Sequence, residues 1–469
     1  MSRAVSDRRL RPAGLAAATI ALPVFLEVSG GRLRLSPAYV ERVGESVTAL
    51  PLSVFALPVL LVLLLARARG RALASRPGLD DLLVLGYVVV NSAALYAGVV
   101  LSGMPEPIGV MGYLQTVFPL VAYAAARLVM RPVPGESIGT SLEPAGRFLS
   151  VLGFTVSVFL LLYMAQTVID GASSFRLSLI TDHIGPFYNY KMKRFFPVYV
   201  AMATTSLAAY LLLAGRLGRA RAAGIGGLLV IGVVGLLLMH SRTALLLFLV
   251  GLGVVCAGLL TVFRLTVDRR LLRLAALVAL GAMLAWTPIS AVGSRSLARI
   301  YETLTVVTGA QESLAAGDET RLERMTYGVE VGFGSVFGSG FRTEERHGLR
   351  RAVTTESGYL DIVARAGPLA LALILALVAR SVLLGVRLER RSRAGPARTG
   401  ERAHWAGRAV LALLIAFAFV GNVLLNVLTE PYVGPAYWFL LGSVVSLARE
   451  PTGRRAVQTA GASASASRR

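Results

Sequence analysis

The segment TALLLFLVGLGVVCAGLLTVF, residues 243–263, runs for 21 residues without a charged side chain. An α-helix needs about 20 apolar residues to cross a bilayer, so this segment predicts a transmembrane helix. Runs of similar length recur on both sides of it along the 469-residue chain. Hydrophobic residues make up 55% of the chain and charged residues only 16%, against about 25% charged residues in soluble domains. This composition excludes a water-soluble globular protein and predicts an all-α, polytopic integral membrane protein.

Twelve apolar spans, and therefore about 12 transmembrane helices, are predicted. They are centred on residues 13–28, 48–66, 82–101, 108–126, 148–168, 196–215, 223–240, 243–263, 272–290, 367–386, 408–428 and 431–448. The spans divide the chain into an N-terminal transmembrane bundle of about nine helices (1–290), one large extracytoplasmic loop lobe (291–362), C-terminal transmembrane helices (363–449) and a disordered basic tail (450–469).

The net charge of +22 arises from 48 Lys and Arg residues against 26 Asp and Glu residues. Such a basic excess can indicate nucleic-acid binding. Here the arginines lie mostly in short connections, and 28 of the 48 basic residues lie in cytoplasmic segments if the N-terminus is inside. The positive-inside rule therefore predicts a multi-pass protein of the bacterial inner membrane with both termini cytoplasmic and no nucleic-acid partner. The single cysteine, Cys256, excludes an intrachain disulfide and a thiolate metal site.

His240, Ser241 and Arg242 stand at the outer junction of the seventh and eighth spans, where two apolar runs meet with almost no loop. An arginine costs about 2.5 to 3.5 kcal/mol at a bilayer centre and less at the interface, so Arg242 is a functional candidate. The alternative is that Arg242 snorkels to the head groups and only ends the helix. For His240, a structural role is the simpler alternative.

A second candidate segment is Asp318–Tyr327 in the loop lobe. Thr320 and Glu323 have the spacing of a capping box, which predicts that a helix begins here. Arg321 and Arg324 would then lie one turn apart near a helix N-terminus, a suitable arrangement for binding a diphosphate. Ordinary surface ion pairs with the neighbouring acids are the alternative. The predicted apolar stripe of this helix is Leu322, Met325 and Val329.

The glycine-rich segment Gly332–Phe341 lacks the spacing of nucleotide-binding loops and predicts a close approach of backbone to a substrate or a neighbouring helix. Beyond it, Glu356 is expected near the outer membrane boundary, where partial burial raises the pKa of a carboxyl and suits it to general-base work. A solvated helix-capping glutamate is the alternative. Asp361 and Arg365 have the spacing of a helical salt bridge.

Taken jointly, these segments resemble the O-antigen ligase and O-antigen polymerase superfamily of bacterial inner-membrane glycosyltransferases. The likeness covers roughly residues 225–390, about a third of the chain. It rests on Ser241-Arg242-Thr243-Ala244 at the start of a span, on Thr320-Arg321-Leu322-Glu323 leading to Val336-Phe337-Gly338-Ser339-Gly340, and on Glu356-Ser357-Gly358-Tyr359-Leu360 with Gly367 beyond it.

The resemblance implies a metal-independent enzyme without a cofactor that transfers a glycan from undecaprenyl diphosphate to an acceptor hydroxyl on the outer face, with the loop lobe as its catalytic part. It also implies that Arg242 and Arg321 hold the diphosphate. The ligase branch commonly reads His-Asn-x-Tyr-Leu where this chain has Glu356 in place of the histidine, which favours a polysaccharide polymerase with Glu356 as the base. His240 and His347 are the alternative proton acceptors. The candidates for substrate binding are Arg324, Tyr359, His240 and His347.

The expected partners are lipid-linked donor and acceptor glycans and membrane lipids, with a chain-length regulator and a flippase as protein partners. A ligase remains the enzymatic alternative. A polysaccharide or lipid transporter would predict an internal repeat of two six-span halves, which the sequence lacks. An enzyme using polyprenyl-phosphate sugars usually carries paired acids in an early outer loop, whereas Glu41 and Glu45 here have no adjacent acid. A scaffold would need neither Arg242 nor Arg321.

Overall fold

The computed structural model describes most of the chain, and helices dominate the described residues. The described ranges are 11–21, 40–43, 46–49, 53–68, 77–102, 107–132, 138–169, 186–214, 217–239, 241–262, 269–292, 316–346, 349–352, 355, 357–394, 397–430 and 432–448. The helices are α1 (11–21), α2 (Ser53–Ala68), α3 (Leu79–Ser102), α4 (Pro107–Val117), α5 (Leu120–Val129), α6 (Ile138–Ile169), α7 (Pro186–Leu213), α8 (Arg219–Leu238), α9 (Arg242–Val262), α10 (Arg269–Val292), α11 (Ala316–Phe333), α12 (Gly358–Ala394), α13 (Ala397–Ala416) and α14 (Gly434–Ala448). Two short antiparallel hairpins pair β1 (Val40–Val43) with β2 (Ser46–Ala49) and β3 (Thr343–Arg346) with β4 (Leu349–Ala352). The predicted all-α class is confirmed.

Six helices in the described part of the chain are long and apolar enough to cross a membrane, which agrees with the membrane class predicted from composition. They contain the segments Leu79–Val100, Ile138–Leu162, Phe196–Leu213, Arg219–Leu237, Gly358–Ser392 and His404–Leu424. Shorter apolar helices cover Arg242–Ala257, Leu271–Ala285 and Gly434–Ala448. These segments coincide with nine of the predicted spans, and the full number of twelve stays a prediction.

One predicted span, residues 108–126, is wrong as a single helix. The structure divides it into α4 and α5, with Phe118 and Pro119 between them. Proline has no N–H to donate and its ring crowds the preceding turn, so a continuous helix is broken at this point. The break lets α5 turn its own face toward α14, where Gly442 lies against the backbone of Tyr123.

Ion pairs join α3 to its neighbours at one end of the bundle, which we call the ion-pair end. Asp80 pairs with Arg380 of α12 at 2.8 Å. Asp81 accepts two hydrogen bonds from Arg127 of α5, at 3.0 and 3.2 Å, and a third from the Tyr123 hydroxyl at 2.9 Å. A carboxylate held between helices needs such partners because an uncompensated buried charge is strongly destabilising.

Two more contacts place α12, α13 and α14 at the same end. Glu389 of α12 pairs with Arg408 of α13 at 3.2 Å. Arg127 donates a hydrogen bond to the Ser446 hydroxyl of α14 at 2.8 Å. The first turn of α3, the middle of α13, the C-terminal part of α12 and the last turns of α5 and α14 therefore lie together.

Helix α12 bends at Gly367 and Pro368. Gly367 has φ 83° and ψ 177°, outside the helical region, and Pro368 has no N–H to donate. The carbonyls of Ala364 and Arg365 therefore lose the partners that they would have four residues further along a regular helix. Inside a membrane bundle, such carbonyls must find other donors from the protein.

The loop that follows α11 supplies these donors. The Ser339 N–H donates to Ala364 O at 2.7 Å, and the Phe341 N–H donates to Arg365 O at 3.3 Å. The loop reaches these carbonyls by turning through three positive φ angles. They belong to Gly338 (56°), Gly340 (62°) and Phe341 (62°).

The same loop is inserted between α3 and α4. The Gly340 carbonyl lies against Gly98 of α3, and the Phe341 carbonyl lies against Gly109 of α4. The Phe341 ring meets Tyr113 edge to face, with 5.7 Å between the ring centroids. The glycine-rich segment thus approaches neighbouring helices, one of the two uses predicted for it.

Gly340→Ala is expected to lower the free energy of unfolding by more than about 1 kcal/mol, because alanine is strained at positive φ. Its Cβ would also lie 2.8 Å from the Ala94 carbonyl oxygen. Gly153→Ala in α6 is the matched control, because nothing lies within 4 Å of an added Cβ there. Thermal unfolding of the two variants in detergent measures the difference. Equal midpoints would contradict the insertion of this loop.

Candidate functional site

Helix α13 gives way to an irregular, buried segment at the end of the bundle opposite the ion pairs, which we call the turn end. After Ala416 the backbone forms a π-helical turn, Phe417–Gly421, and a short helical turn, Asn422–Leu424, and Leu425 is extended. The predicted span 408–428 is therefore helical only as far as Leu424. Single π-turns inside helices are frequent at functional sites.

Three polar residues of this segment are almost fully buried. Asn422 is 0% exposed, Asn426 is 9% exposed and Glu430 is 8% exposed. The Asn422 Oδ1 atom accepts a hydrogen bond from the Leu428 N–H at 3.1 Å, which shapes the turn. A carboxyl group within a membrane-embedded segment is a functional candidate by default.

This polar cluster is not among the predicted site residues, because its members fall within or between two predicted apolar spans. The available signal was the spacing: Asn422, Asn426 and Glu430 are four residues apart. Such spacing puts polar groups on one face of a helix, which an apolar bundle accepts only where that face is used or satisfied.

The residues just before α12 are hydrogen bonded to the same segment. The Ser357 hydroxyl donates to Asn422 O at 3.0 Å, and the Gly358 N–H donates to Leu425 O at 2.9 Å. A Cβ at position 358 would lie only 3.1 Å from Asn422 Oδ1, so glycine allows this close approach. The start of α12 is therefore fixed against the end of α13.

Asp361 and Arg365 form the ion pair that their spacing predicts, and the pair is buried. Asp361 Oδ2 lies 3.5 Å from Arg365 NH2, and the two residues are 0% and 4% exposed. The other oxygen of Asp361 accepts hydrogen bonds from the Thr355 N–H and, at 2.9 Å, from the Thr355 hydroxyl. Arg365 also donates to the Thr116 hydroxyl of α4 at 3.4 Å. The pair thus connects the start of α12 to α4.

Helix α9 begins at the turn end because it runs antiparallel to α13. Leu247 of α9 lies beside Gly421, whereas Cys256 is within electrostatic reach of Arg408, which lies earlier in the chain, in the middle of α13. Arg242 precedes Leu247 by five residues, about 7.5 Å along a helix axis. Arg242 therefore lies at the level where α13 has already ended.

The start of α9 is closed by a serine cap. The Ser241 hydroxyl accepts a hydrogen bond from the Ala244 N–H at 3.3 Å, the geometry of a helix N-cap. The half-buried Arg242 is the first residue of α9. A guanidinium beside the positive end of a helix dipole makes this position attractive to an anion.

Helix α11 packs on α12 through glycines. Gly332 lies against the backbone of Val363, and one turn earlier Gly328 lies against the side chain of Thr355. The C-terminal part of α11 therefore contacts α12 itself, whereas the turn before it contacts Thr355, which precedes α12. Arg324 is on the same helical face, four residues before Gly328.

Position 321 shares this face, because it precedes position 328 by seven residues. One prediction about this helix is wrong: it begins at Ala316, so the residues of the supposed capping box, Thr320 and Glu323, lie within it. The predicted apolar stripe is on the surface of the helix, because Leu322 and Val329 are 56% and 41% exposed. The glycines determine the packed face because they allow the closest backbone approach.

The structure therefore brings Arg242, the face of α11 that carries positions 321 and 324, and the residues on either side of position 356 to the turn end. Glu356, His240 and His347 lie outside the described residues, and of Arg321 only the backbone position in α11 is described. The Tyr359 hydroxyl donates to Ala418 O at 3.0 Å, so it is engaged within the protein, and its substrate role stays a prediction.

Comparison with protein families and with curated proteins finds no match for this chain. The candidate site is therefore defined by its geometry. Among the described residues, no three His, Cys, Asp or Glu side chains come together as a metal site. The polar groups in the described part of the site that suit an anion are the guanidinium groups of Arg242 and Arg324 and the N–H groups at the start of α9.

The contact between α11 and the segment before α12 can be tested by cross-linking. In a Cys256→Ser background, Gly328→Cys combined with Thr355→Cys is expected to give a disulfide on mild oxidation. The Cβ atoms would lie 3.3 Å apart, close to the roughly 3.5 to 4.5 Å of disulfides. Gly153→Cys with Thr355→Cys is the control pair and should stay reduced. Mass spectrometry of proteolytic fragments detects the link, and its absence from the first pair would contradict the packing of α11.

Proposed function

We propose that this protein is an extracytoplasmic glycosyltransferase that polymerises oligosaccharide units linked to undecaprenyl diphosphate into a surface polysaccharide. One observation carries the proposal: the start of α9, the face of α11 that carries positions 321 and 324 and the segment flanking position 356 lie at the same end of the bundle. These are the three segments whose sequences resemble the O-antigen ligase and polymerase superfamily. They are far apart in sequence, and the fold gives them a common location.

The charges at this end suit a lipid diphosphate. Arg242 stands at a capped helix start, and Arg324 and Arg321 follow each other on one face of α11. Guanidinium groups match phosphate oxygens in a bidentate manner. In our proposal Arg242 and Arg321 hold the diphosphate, and Arg324 assists.

The exposed surface of α11 suits a lipid interface. Leu322, Val329 and Phe333 are exposed and recur at helical spacing, with exposed fractions of 56%, 41% and 58%. A helix with apolar residues on one face and arginines on another is typical of a membrane surface. It would present the arginines at the depth where a lipid head group lies.

The proposed reaction is a displacement at the anomeric carbon of the donor glycan. The acceptor hydroxyl oxygen forms the new glycosidic bond while the bond from the anomeric carbon to the diphosphate oxygen breaks. Glu356 takes the proton of the hydroxyl, and the arginines stabilise the charge that develops on the diphosphate. A single displacement inverts the anomeric configuration. Glutamate in place of the histidine of the ligase branch supports a polymerase, with a second lipid-linked oligosaccharide as acceptor.

We further propose that the turn end faces outward from the bacterial inner membrane, in a topology of twelve spans with both termini cytoplasmic. The ion-pair end carries an arginine-rich stretch at the end of α12, Arg387–Arg393. Positive residues favour the cytoplasmic side. The opposite end, with the candidate site, would then lie where undecaprenyl-diphosphate glycans are exposed after flipping.

The experiment is to delete the gene, identify the lipid-linked glycans that accumulate, and restore it as wild type or variant. We expect single repeat units on undecaprenyl diphosphate in the deletion strain and polymer on complementation. Arg242→Ala and Arg321→Ala should each lower polymer formation about 100- to 1,000-fold, the usual effect of removing one preorganised oxyanion donor. Arg273→Ala, an exposed arginine near the start of α10, is the matched control and should restore the polymer.

The lipid-linked intermediates of the deletion strain distinguish a polymerase from a ligase and from a flippase. Long undelivered chains in the deletion strain would indicate a ligase, and intermediates trapped on the cytoplasmic side would indicate a flippase. Full activity of both arginine variants at equal membrane levels would overturn the proposal that Arg242 and Arg321 bind the diphosphate.

A further inference from the structure

We infer that Asp361 and Arg365, acting through Thr355, form a clamp that positions the two residues flanking the proposed base, Thr355 and Ser357. These two residues and Thr355 would be positioning residues, because none of them is assigned a contact with substrate. The inference rests on the proposed function, since it concerns the geometry of the proposed base. It adds a role for a buried ion pair that the spacing of its residues predicted only as a structural feature.

The first observation is that the clamp fixes the residue before position 356 at two atoms. Asp361 Oδ1 accepts from the Thr355 N–H and, at 2.9 Å, from the Thr355 hydroxyl. The Thr355 hydroxyl in turn accepts from the Ser357 N–H at 3.3 Å. Thr355 is 0% exposed and Ser357 is 3% exposed. Backbone and side chain of Thr355 are thus held by one carboxylate.

The second observation is that the residue after position 356 is held from the opposite side. The Ser357 hydroxyl donates to Asn422 O at 3.0 Å, and the Gly358 N–H donates to Leu425 O at 2.9 Å. Position 356 is therefore a single residue between two neighbours that are fixed to different helices. A catalytic group gains most from such fixed supports, because small displacements of a reacting group slow a reaction strongly.

The third observation is that the carboxylate is fully buried beside an arginine. Asp361 is 0% exposed, and its second oxygen lies 3.5 Å from Arg365, which reaches Thr116 of α4 at 3.4 Å. Well-packed apolar residues often stabilise a protein as well as a buried ion pair does. Stability alone therefore gives a weak reason for an ion pair here, whereas orientation of the segment before α12 gives a direct one.

The test compares two variants that differ in a single hydroxyl. Thr355→Val keeps the branched shape and the backbone N–H but removes the hydroxyl, whereas Thr355→Ser keeps the hydroxyl. With purified protein and the lipid-linked oligosaccharide from the deletion strain, Thr355→Val should lower kcat about 10- to 100-fold with KM for the donor unchanged. Thr355→Ser should stay close to wild type. Glu356→Gln gives the loss expected when the base itself is removed.

A control separates positioning from general stability. Thr204→Val removes an equally buried threonine hydroxyl, 1% exposed, which donates to Val200 O within α7. It should reduce thermal stability as much as Thr355→Val does but leave kcat per folded molecule unchanged. If Thr355→Val and Thr204→Val behave alike in kcat, or if Thr355→Ser is as slow as Thr355→Val, the clamp is purely structural and the inference is overturned.

A second readout does not depend on catalysis. A nitroxide label on Glu356→Cys, in a Cys256→Ser background, reports the mobility of position 356 directly. Added Thr355→Val should increase that mobility and added Thr355→Ser should not, while equal spectra would overturn the clamp. Suppose that the deletion strain has the same lipid-linked glycans as wild type, while Thr355→Val still increases the mobility of the label. The glycosyltransferase proposal would then be refuted and the clamp would stand, so the two failures are distinguishable.

Discussion

The architecture depends on the two backbone carbonyls that the bend of α12 releases. Pro368 and the non-helical Gly367 leave Ala364 O and Arg365 O without their helical donors, and water is not at hand inside a membrane bundle. The N–H groups of Ser339 and Phe341 are the replacement. To deliver them, the chain after α11 must enter between α3, α4 and α12. The bend therefore fixes the loop, and the loop fixes the C-terminal end of α11.

The two ends of the bundle differ in the kind of contact that they contain. At the ion-pair end, Asp80, Asp81 and Glu389 each meet an arginine, and these contacts hold helices together. At the turn end, π-helical geometry and an irregular segment interrupt the helices, and buried polar groups gather. The ion pairs thus join helices at the end of the bundle opposite the candidate site. This is the arrangement that a site built on fixed elements requires.

The sequence predicted those features that depend on local periodicity. Nine apolar segments coincide with predicted spans, and the pairing of Asp361 with Arg365 follows from their spacing. The sequence did not predict features that depend on contacts between residues far apart in the chain. The packed face of α11 could not be predicted from an apolar stripe, because it is formed by glycines that lie against the backbone of α12 and the side chain of Thr355.

The candidate site was only partly predictable for the same reason. Arg242, Arg321 and Arg324 stand out as arginines beside apolar runs or at helical spacing. Asn422 and Glu430 do not stand out, because Asn422 lies within a predicted apolar span and Glu430 lies between two such spans. The burial of both residues and the bond of Asn422 to Ser357 depend on tertiary structure, and sequence spacing can suggest only that the two residues share a face.

The central claim is that Arg242 and Arg321 lie on the outer side of one membrane, close enough to serve a single lipid diphosphate. Arg242→Cys and Arg321→Cys, made singly in a Cys256→Ser background, can be labelled in intact cells with a membrane-impermeant maleimide. The account predicts that both positions react from outside, and that Arg391→Cys, at the ion-pair end, reacts only after the cells are opened. Labelling of positions 242 and 321 from opposite sides of the membrane would contradict it.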